Sequence, residues 1–186
     1  MKYINPVSTE GYEELIKKCT KGLGKARWIN NTNRKEQLIV GGRVGARKLR
    51  AESCPAVVKW DYLNKNRYVQ PLFDKQNPEL IKDLELLVNK YYPSVQYNSF
   101  TINRNGLMLP HKDKGNRDSS FIIGLGEYTG GRLAVDTLGK ENTEDSTADY
   151  RYFDIKQRGF LFDGCNNLHK VEPFTGTRYT LVAYYI

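Results

Sequence analysis

The chain has 186 residues and a formal charge of +8 at pH 7, with 39% apolar residues, 13 tyrosines and three cysteines. That length suits one ordinary domain with a real core, no apolar run approaches the roughly 20 residues of a membrane span, and the start MKYINP lacks an apolar core of signal-peptide length. Cys19, Cys54 and Cys165 are too few and too widely spaced for a disulfide framework or a zinc site, so a monomer in a reducing intracellular compartment, cytoplasmic or nuclear in a eukaryote, is expected.

In chain order, Ser8 is a good N-cap for a first helix carrying Tyr12, Leu15, Ile16, Cys19 and Leu23 on one stripe, with Gly22 or Gly24 as its stop. From Lys17 to Arg50 eleven basic residues stand against one acid, Glu36. Such a segment attracts a polyanion, and neutralising phosphates makes the contact salt-dependent. Within it Gln37 to Val40 reads as a short strand. The glycine-rich run GGRVGAR (41–47) does not fit a dinucleotide loop, because it is no G-x-G-x-x-G between a strand and a helix. It reads either as a basic loop placing Arg43 and Arg47 on a phosphate backbone or as plain loop.

Ala56 to Val69 alternates around Trp60 as strand and turn. Asn77-Pro78-Glu79 opens a second helix to about Asn89, with Leu80, Ile81, Leu84, Leu87, Val88 and Tyr91 inward. After Pro93 strands take over: 97–103, 107–109, 119–125, 131–135, 150–155, 159–162, 167–171 and 178–185. Eight short strands separated by turn signals predict a mainly β fold with flanking helices, a double-stranded β-helix of the jelly-roll, cupin-like type. Residues 96–186 would form this core and 1–95 a helical and basic support region within one domain. The polar, acidic run 137–149 has no apolar period and reads as an exposed loop.

The chain has only two histidines. His111 stands two residues before Asp113, and two residues apart on an extended strand share a face. His169 follows 56 residues after Asp113, and Arg178 comes nine residues later at the head of a strand, with Thr180 on the same face. Two neutral imidazoles and one carboxylate occupy one face of an octahedral ferrous ion and leave three positions open. The planar fork of an arginine suits a carboxylate. His111, Asp113 and His169 are therefore the candidate metal ligands and Arg178 the candidate anion site.

These residues carry a resemblance. The runs 97–133 and 159–185 resemble the 2-oxoglutarate/Fe(II) oxygenases. His111-Lys112-Asp113 with Asn116, Gly126-x-Tyr128-x-Gly130-Gly131-x-Leu133, and His169-x-Val171-x-Pro173 leading to Arg178 look most like the branch of TET and base-J-binding proteins, which oxidises the methyl group of 5-methylcytosine or thymine in DNA. The resemblance implies Fe(II) and O₂ with 2-oxoglutarate as cosubstrate, and catalysis by His111, Asp113 and His169. Arg178, Thr180 and Asn103 would contact the oxo acid.

For substrate, the resemblance implies a DNA or RNA partner, with Asn116 on the pyrimidine edge and Tyr184 stacked on a flipped base. Without it, Asn116 reads equally as a turn residue and Tyr184 as a core aromatic. Where some relatives carry a base-contacting histidine, this sequence ends at Ile186. The competing readings are an AlkB-like nucleic-acid demethylase, a prolyl or lysyl protein hydroxylase, and a jelly-roll that only binds nucleic acid.

Overall fold

The computed structural model describes residues 4–7, 11–26, 37–41, 47–49, 57–60, 68–69, 76–91, 97, 99–139 and 142–185. Among these, helices α1 (Glu13–Lys25) and α2 (Pro78–Tyr91) lie against a six-stranded antiparallel sheet in the order β1-β11-β7-β14-β6-β2. Its strands are β1 (Ile4–Val7), β2 (Gln37–Gly41), β6 (Ser99–Arg104), β7 (Arg117–Leu125), β11 (Gly159–Phe162) and β14 (Tyr179–Tyr185). The facing layer is β9 (Leu133–Asp136) between β10 (Tyr150–Phe153) and β12 (His169–Val171), plus the pair β8 (Tyr128–Gly130) and β13 (Phe174–Gly176). A separate antiparallel sheet joins β3 (Arg47–Leu49), β4 (Val57–Trp60) and β5 (Tyr68–Val69). This is a mainly β jelly-roll with α1 and α2 on one side, as expected. No helix of the described residues is long and apolar enough to cross a membrane.

Strand alternation positions the site. Side chains two apart on a strand share a face, and in β14 Tyr179, Leu181 and Ala183 turn toward the helices while Thr180, Val182 and Tyr184 turn the other way. β6 repeats this, with Ile102 on the helix side and Thr101 and Asn103 opposite. In β7 Phe121, Ile123 and Leu125 join the helix-side core, while Ile122 joins a smaller cluster with Leu133, Val135, Ile155, Phe160 and Phe162 between the two layers. The register Thr180↔Asn103 and Thr180↔Gly124 locks β14 between its neighbours.

The helices are amphipathic because their apolar residues recur at three- and four-residue steps. α1 buries Ile16, Cys19 and Leu23; α2 buries Leu80, Ile81, Leu84, Leu87, Val88 and Tyr91. Each fully buried aliphatic side chain stabilises the fold by about 1.5–3 kcal/mol. Within the described residues α1 starts at Glu13, and the Ser8 cap expected for it lies outside them. The helix also continues through both glycines expected to stop it. A Cβ on Gly22 would come 2.7 Å from Leu80 Cδ1, so the glycine marks where α1 and α2 approach closely.

One further expectation changes. Residues 107–109 form no strand: Leu107 and Leu109 are exposed while Met108 faces the interior of the barrel. The acidic run is exposed over 143–147, as expected, and its described residues are anchored on Asp136, whose fully buried carboxylate accepts the N–H groups of Leu138 and Asp149 and the amide of Asn142. A 3₁₀ turn at Asp145–Thr147 follows.

Candidate metal centre

The candidate ligands arrive from two segments joined by a narrow bridge. His111 N–H donates to the His169 carbonyl at 3.1 Å, and His169 N–H returns the bond to the His111 carbonyl at 3.0 Å. Asp113 does not lie on a strand with His111. It sits in the following loop, where its N–H donates to the Gly164 carbonyl at 2.8 Å. A Cβ on Gly164 would lie 3.2 Å from Asp113 Oδ2, so the bare glycine permits that approach.

One donor atom from each of His111, Asp113 and His169 lies within 4.8 Å of the others. The His111 Nε2–Asp113 Oδ1 and His169 Nε2–Asp113 Oδ2 distances are 3.7 and 3.5 Å. These are too long for hydrogen bonds and suit donors converging on one ion. The remote nitrogens are held as a metal site requires. His111 Nδ1 lies 2.7 Å from the Leu109 carbonyl and His169 Nδ1 2.9 Å from that of Asn167. A carbonyl can only accept, so each Nδ1 carries a proton, and in the neutral ring that leaves the Nε2 lone pair facing the centre. Phe162 packs edge-on against His169 at 5.0 Å between ring centres and walls that side from water.

A cavity of about 460 Å³ opens over these ligands. At its inner end lies Arg178, the largest fully buried side chain among the described residues, 1% exposed. Its Nη2 donates to the Gly131 carbonyl at 3.1 Å, and its guanidinium lies over the rings of Tyr128 at 5.5 Å and Phe174 at 5.4 Å. Its Nε has no hydrogen-bond partner, and no carboxylate pairs with it among the described residues. Burial lowers its pKa from the ordinary value, with Tyr128 opposing that effect. Burying a cation without a counter-charge costs several kcal/mol, so this environment is built to receive an anion. Gly131, at φ +68°, leaves the room: a Cβ there would be 2.9 Å from Arg178 Nε.

Asn103 and Thr180 stand beside the arginine, with Asn103 Nδ2 donating to Thr180 Oγ1 at 3.3 Å. Asn103 Oδ1 is buried with no hydrogen-bond partner. Asn116 and Tyr184 also line the cavity: the Asn116 amide donates to Ser120 Oγ at 3.2 Å, and the Tyr184 hydroxyl is 3.0 Å from Thr101 Oγ1. Lys112 and Lys114 flank Asp113 there, and among the described residues Asp113 is the only carboxylate on the lining.

The structure thus gathers His111, Asp113, His169, Arg178, Thr180, Asn103, Asn116 and Tyr184 around one cavity. Arg43 lies outside the described residues, as does the side chain of Arg47. Of the basic segment, Lys17 and Lys18 are engaged on the helix surface by Glu14 and Asp83. Sequence reasoning gave no role to Tyr128, Gly131 and Phe174, which hold Arg178. The first two stand in the G-x-Y-x-G-G run, whereas nothing local marks Phe174.

The donor set fits a divalent ion of the iron type, and the buried arginine fits the carboxylate of an oxo acid. No protein-family model matches the chain, and no curated protein matches it. Among solved structures it is similar to an oxidoreductase of the 2OG-Fe(II) oxygenase family from Burkholderia pseudomallei, at 14% identity over 91% of this chain and 76% of that one, with a TM-score of 0.52. It is similar also to NgTET1 in complex with 5mC DNA, at 20% identity over 93% and 68% of the two chains, with a TM-score of 0.51. A prolyl hydroxylase in complex with a hypoxia inducible factor peptide from Trichoplax adhaerens gives 14% identity over 98% and 82%, with a TM-score of 0.52. At these identities the likeness establishes the fold.

Proposed function

We propose that this protein is an Fe(II)- and 2-oxoglutarate-dependent dioxygenase that hydroxylates the methyl group of a pyrimidine base, 5-methylcytosine or thymine, in DNA. The observation that carries the reaction class is the pairing of a three-donor centre with a fully buried arginine lacking a carboxylate partner, inside one cavity. A protein that only bound nucleic acid would have no use for that combination.

Bound Fe(II) and 2-oxoglutarate supply the oxidising power, coupling decarboxylation of the oxo acid to succinate with delivery of one oxygen atom of O₂ to a C–H bond. The protein's own residues bind and orient. His111 and His169 offer Nε2, with Nδ1–H fixed on the Leu109 and Asn167 carbonyls, and Asp113 offers its carboxylate. Arg178 takes the far carboxylate of the oxo acid, assisted by the Thr180 hydroxyl and the Asn103 amide. Phe162, Leu133 and Val182 line the same cavity and exclude water from it. Asn116 would read the edge of an extruded base and the Tyr184 ring would stack on it, its hydroxyl already held against Thr101.

Support for a nucleobase comes from the likeness to NgTET1 with 5mC DNA and from a lining where, among the described residues, the one carboxylate is the candidate metal ligand itself while Lys112 and Lys114 add positive charge. Phosphates flanking a target base would complement that charge. The prolyl hydroxylase likeness keeps a peptide substrate as the second reading. Anaerobic loading with Fe(II) and 2-oxoglutarate, followed by air and oligonucleotides carrying 5-methylcytosine or only thymine, separates them by nucleoside mass spectrometry. A gain of one oxygen on a base is the expected result and identifies the base. Succinate formed with every base unchanged would remove nucleic acid from the assignment and turn attention to peptides.

A further inference from the structure

The insert between β9 and β10, described over 137–139 and 142–149, is fastened to both histidine-bearing segments. Lys112, the residue after His111, donates its ammonium to the Gly139 carbonyl at 3.3 Å. Lys170, the residue after His169, donates to Asp145 Oδ1 at 2.8 Å and lies 4.2 Å above the Tyr150 ring. At the root of the insert, Asn167 Nδ2 donates to the Asp136 carbonyl at 2.8 Å, and the carbonyl of the same Asn167 receives His169 Nδ1 at 2.9 Å. One short insert therefore touches the flank of each candidate ligand.

The described residues at the two ends of the insert close on a single buried carboxylate. Asp136 Oδ1 accepts Leu138 N–H at 3.2 Å and Asp149 N–H at 2.9 Å, while Oδ2 accepts the Asn142 amide at 2.7 Å. Thr147 then donates its hydroxyl to Asn142 Oδ1 at 2.7 Å, and Tyr150 donates to Asp145 Oδ1 at 2.8 Å. The His111 and His169 segments also meet directly, through the two-bond bridge, the Val171 N–H on the Met108 carbonyl at 3.0 Å and the two imidazole rings 4.3 Å apart. His111 belongs to no strand, and the insert adds side-chain ties on the flanks of that contact, at Lys112 and Lys170.

We propose that the 137–149 insert is a clasp that keeps the His111 and His169 segments together and so sets how tightly the three-residue centre retains its metal ion. This rests on the reading of His111, Asp113 and His169 as ligands. Asp136, Asn142 and Asp145 are positioning residues in this device; none touches the ion. Supports of this kind beyond the ligands typically change metal affinity 10–100-fold. Asp136 is the strongest lever because it is buried and accepts three hydrogen bonds, whereas the Lys170–Asp145 pair lies at the surface, where a single pair is weak.

The test is Co(II) binding by the full chain, followed by visible absorption, together with the rate of Co(II) loss to a chelator. Asp136→Asn sets an amide against the Asn142 amide, donor against donor, and releases the insert while leaving the three ligands and Arg178 intact. The expected result is 10–100-fold weaker Co(II) binding and faster loss, with the far-ultraviolet circular dichroism of wild type. Asp145→Asn acts at the surface and leaves the core untouched, so it decides the matter should Asp136→Asn fail to fold. It should speed Co(II) loss a few-fold, and Asp145→Glu should restore retention. Wild-type retention in folded Asp136→Asn and Asp145→Asn protein, with the insert cut more readily by protease, overturns the clasp alone. Wild-type protein that binds no Co(II) overturns the ligand reading and the clasp with it.

Discussion

The two faces of the six-stranded sheet are made by the same strands and do opposite work. Toward α1 and α2 the sheet presents Ile102, Phe121, Ile123, Leu125, Leu181 and Ala183, all fully buried in one apolar cluster. Toward the facing layer, residues one step along the same strands are Thr101, Asn103, Thr180 and Tyr184, with Arg178 just before β14. The first face gains stability by removing apolar surface from water. The second keeps buried polar groups, two of them with atoms that no protein group satisfies, and these cost stability unless a ligand meets them. The molecule therefore stabilises itself on one side so that the other can be arranged for binding.

That contrast predicts substitutions that separate folding from chemistry. His111→Ala should have the largest functional effect, abolishing metal binding and turnover. Its side chain is 27% exposed, so the melting temperature should move little, within the roughly 0.5 kcal/mol usual for substitutions at the surface. A His111→Ala protein that unfolds would break the comparison, because the site would then be part of the stabilising core. Leu84→Ala on the helix side should do the reverse. It is fully buried, and its truncation should cost about 2–5 kcal/mol, with the melting temperature falling about 2–4 °C per kcal/mol in a chain of this size. The metal affinity of the protein that remains folded should match wild type in a direct titration.

Arg178→Met tests the chemical face from within. Losing a charge-assisted contact to a carboxylate costs about 1.5–3 kcal/mol, so 2-oxoglutarate affinity measured by calorimetry should fall roughly 10–100-fold. The ligand-free protein should be no less stable, since a buried cation without a carboxylate partner is replaced by an apolar chain of similar reach. A large loss of stability instead would make Arg178 a structural residue of the cavity wall.

The contrast also explains what could be read before the structure. The two helices were legible because their stripes are strictly periodic, and most strands because alternation survives wherever one face is apolar. His111, Asp113, His169 and Arg178 were legible from order and chemistry, since a chain with two histidines offers few alternatives. What escaped depends on contacts distant in sequence. β8 and β13 have three residues each, too few to show a period, yet they supply the Tyr128 and Phe174 rings that hold Arg178. Leu107 and Leu109 imitate an alternating strand, but Met108 is the residue that faces inward. Asp136 is one acid beside an acidic stretch, and only the fold shows that its carboxylate closes the insert. Gly22 carries a local signal to end a helix, overridden by the close packing of α1 on α2 that it permits.

The smallest predicted effect uses two cysteines, one behind each face. Cys19 lies fully buried on α1 among the helix-side apolar residues, and that burial pushes its thiol up to about 12. Cys165 is partly exposed in the turn after β11, next to the Gly164 that abuts Asp113. The thiolate is the form that reacts with an alkylating reagent, and at neutral pH the Cys19 thiol is almost wholly protonated and out of reach. Iodoacetamide followed by peptide mass mapping should label Cys165 in native protein and reach Cys19 only in denaturant. Labelling at Cys165 should leave the melting temperature nearly unchanged, because the turn contributes nothing to the helix-side core. Native labelling of Cys19 at a comparable rate would mean that α1 opens readily, and the supposed stabilising face would then be the weaker of the two.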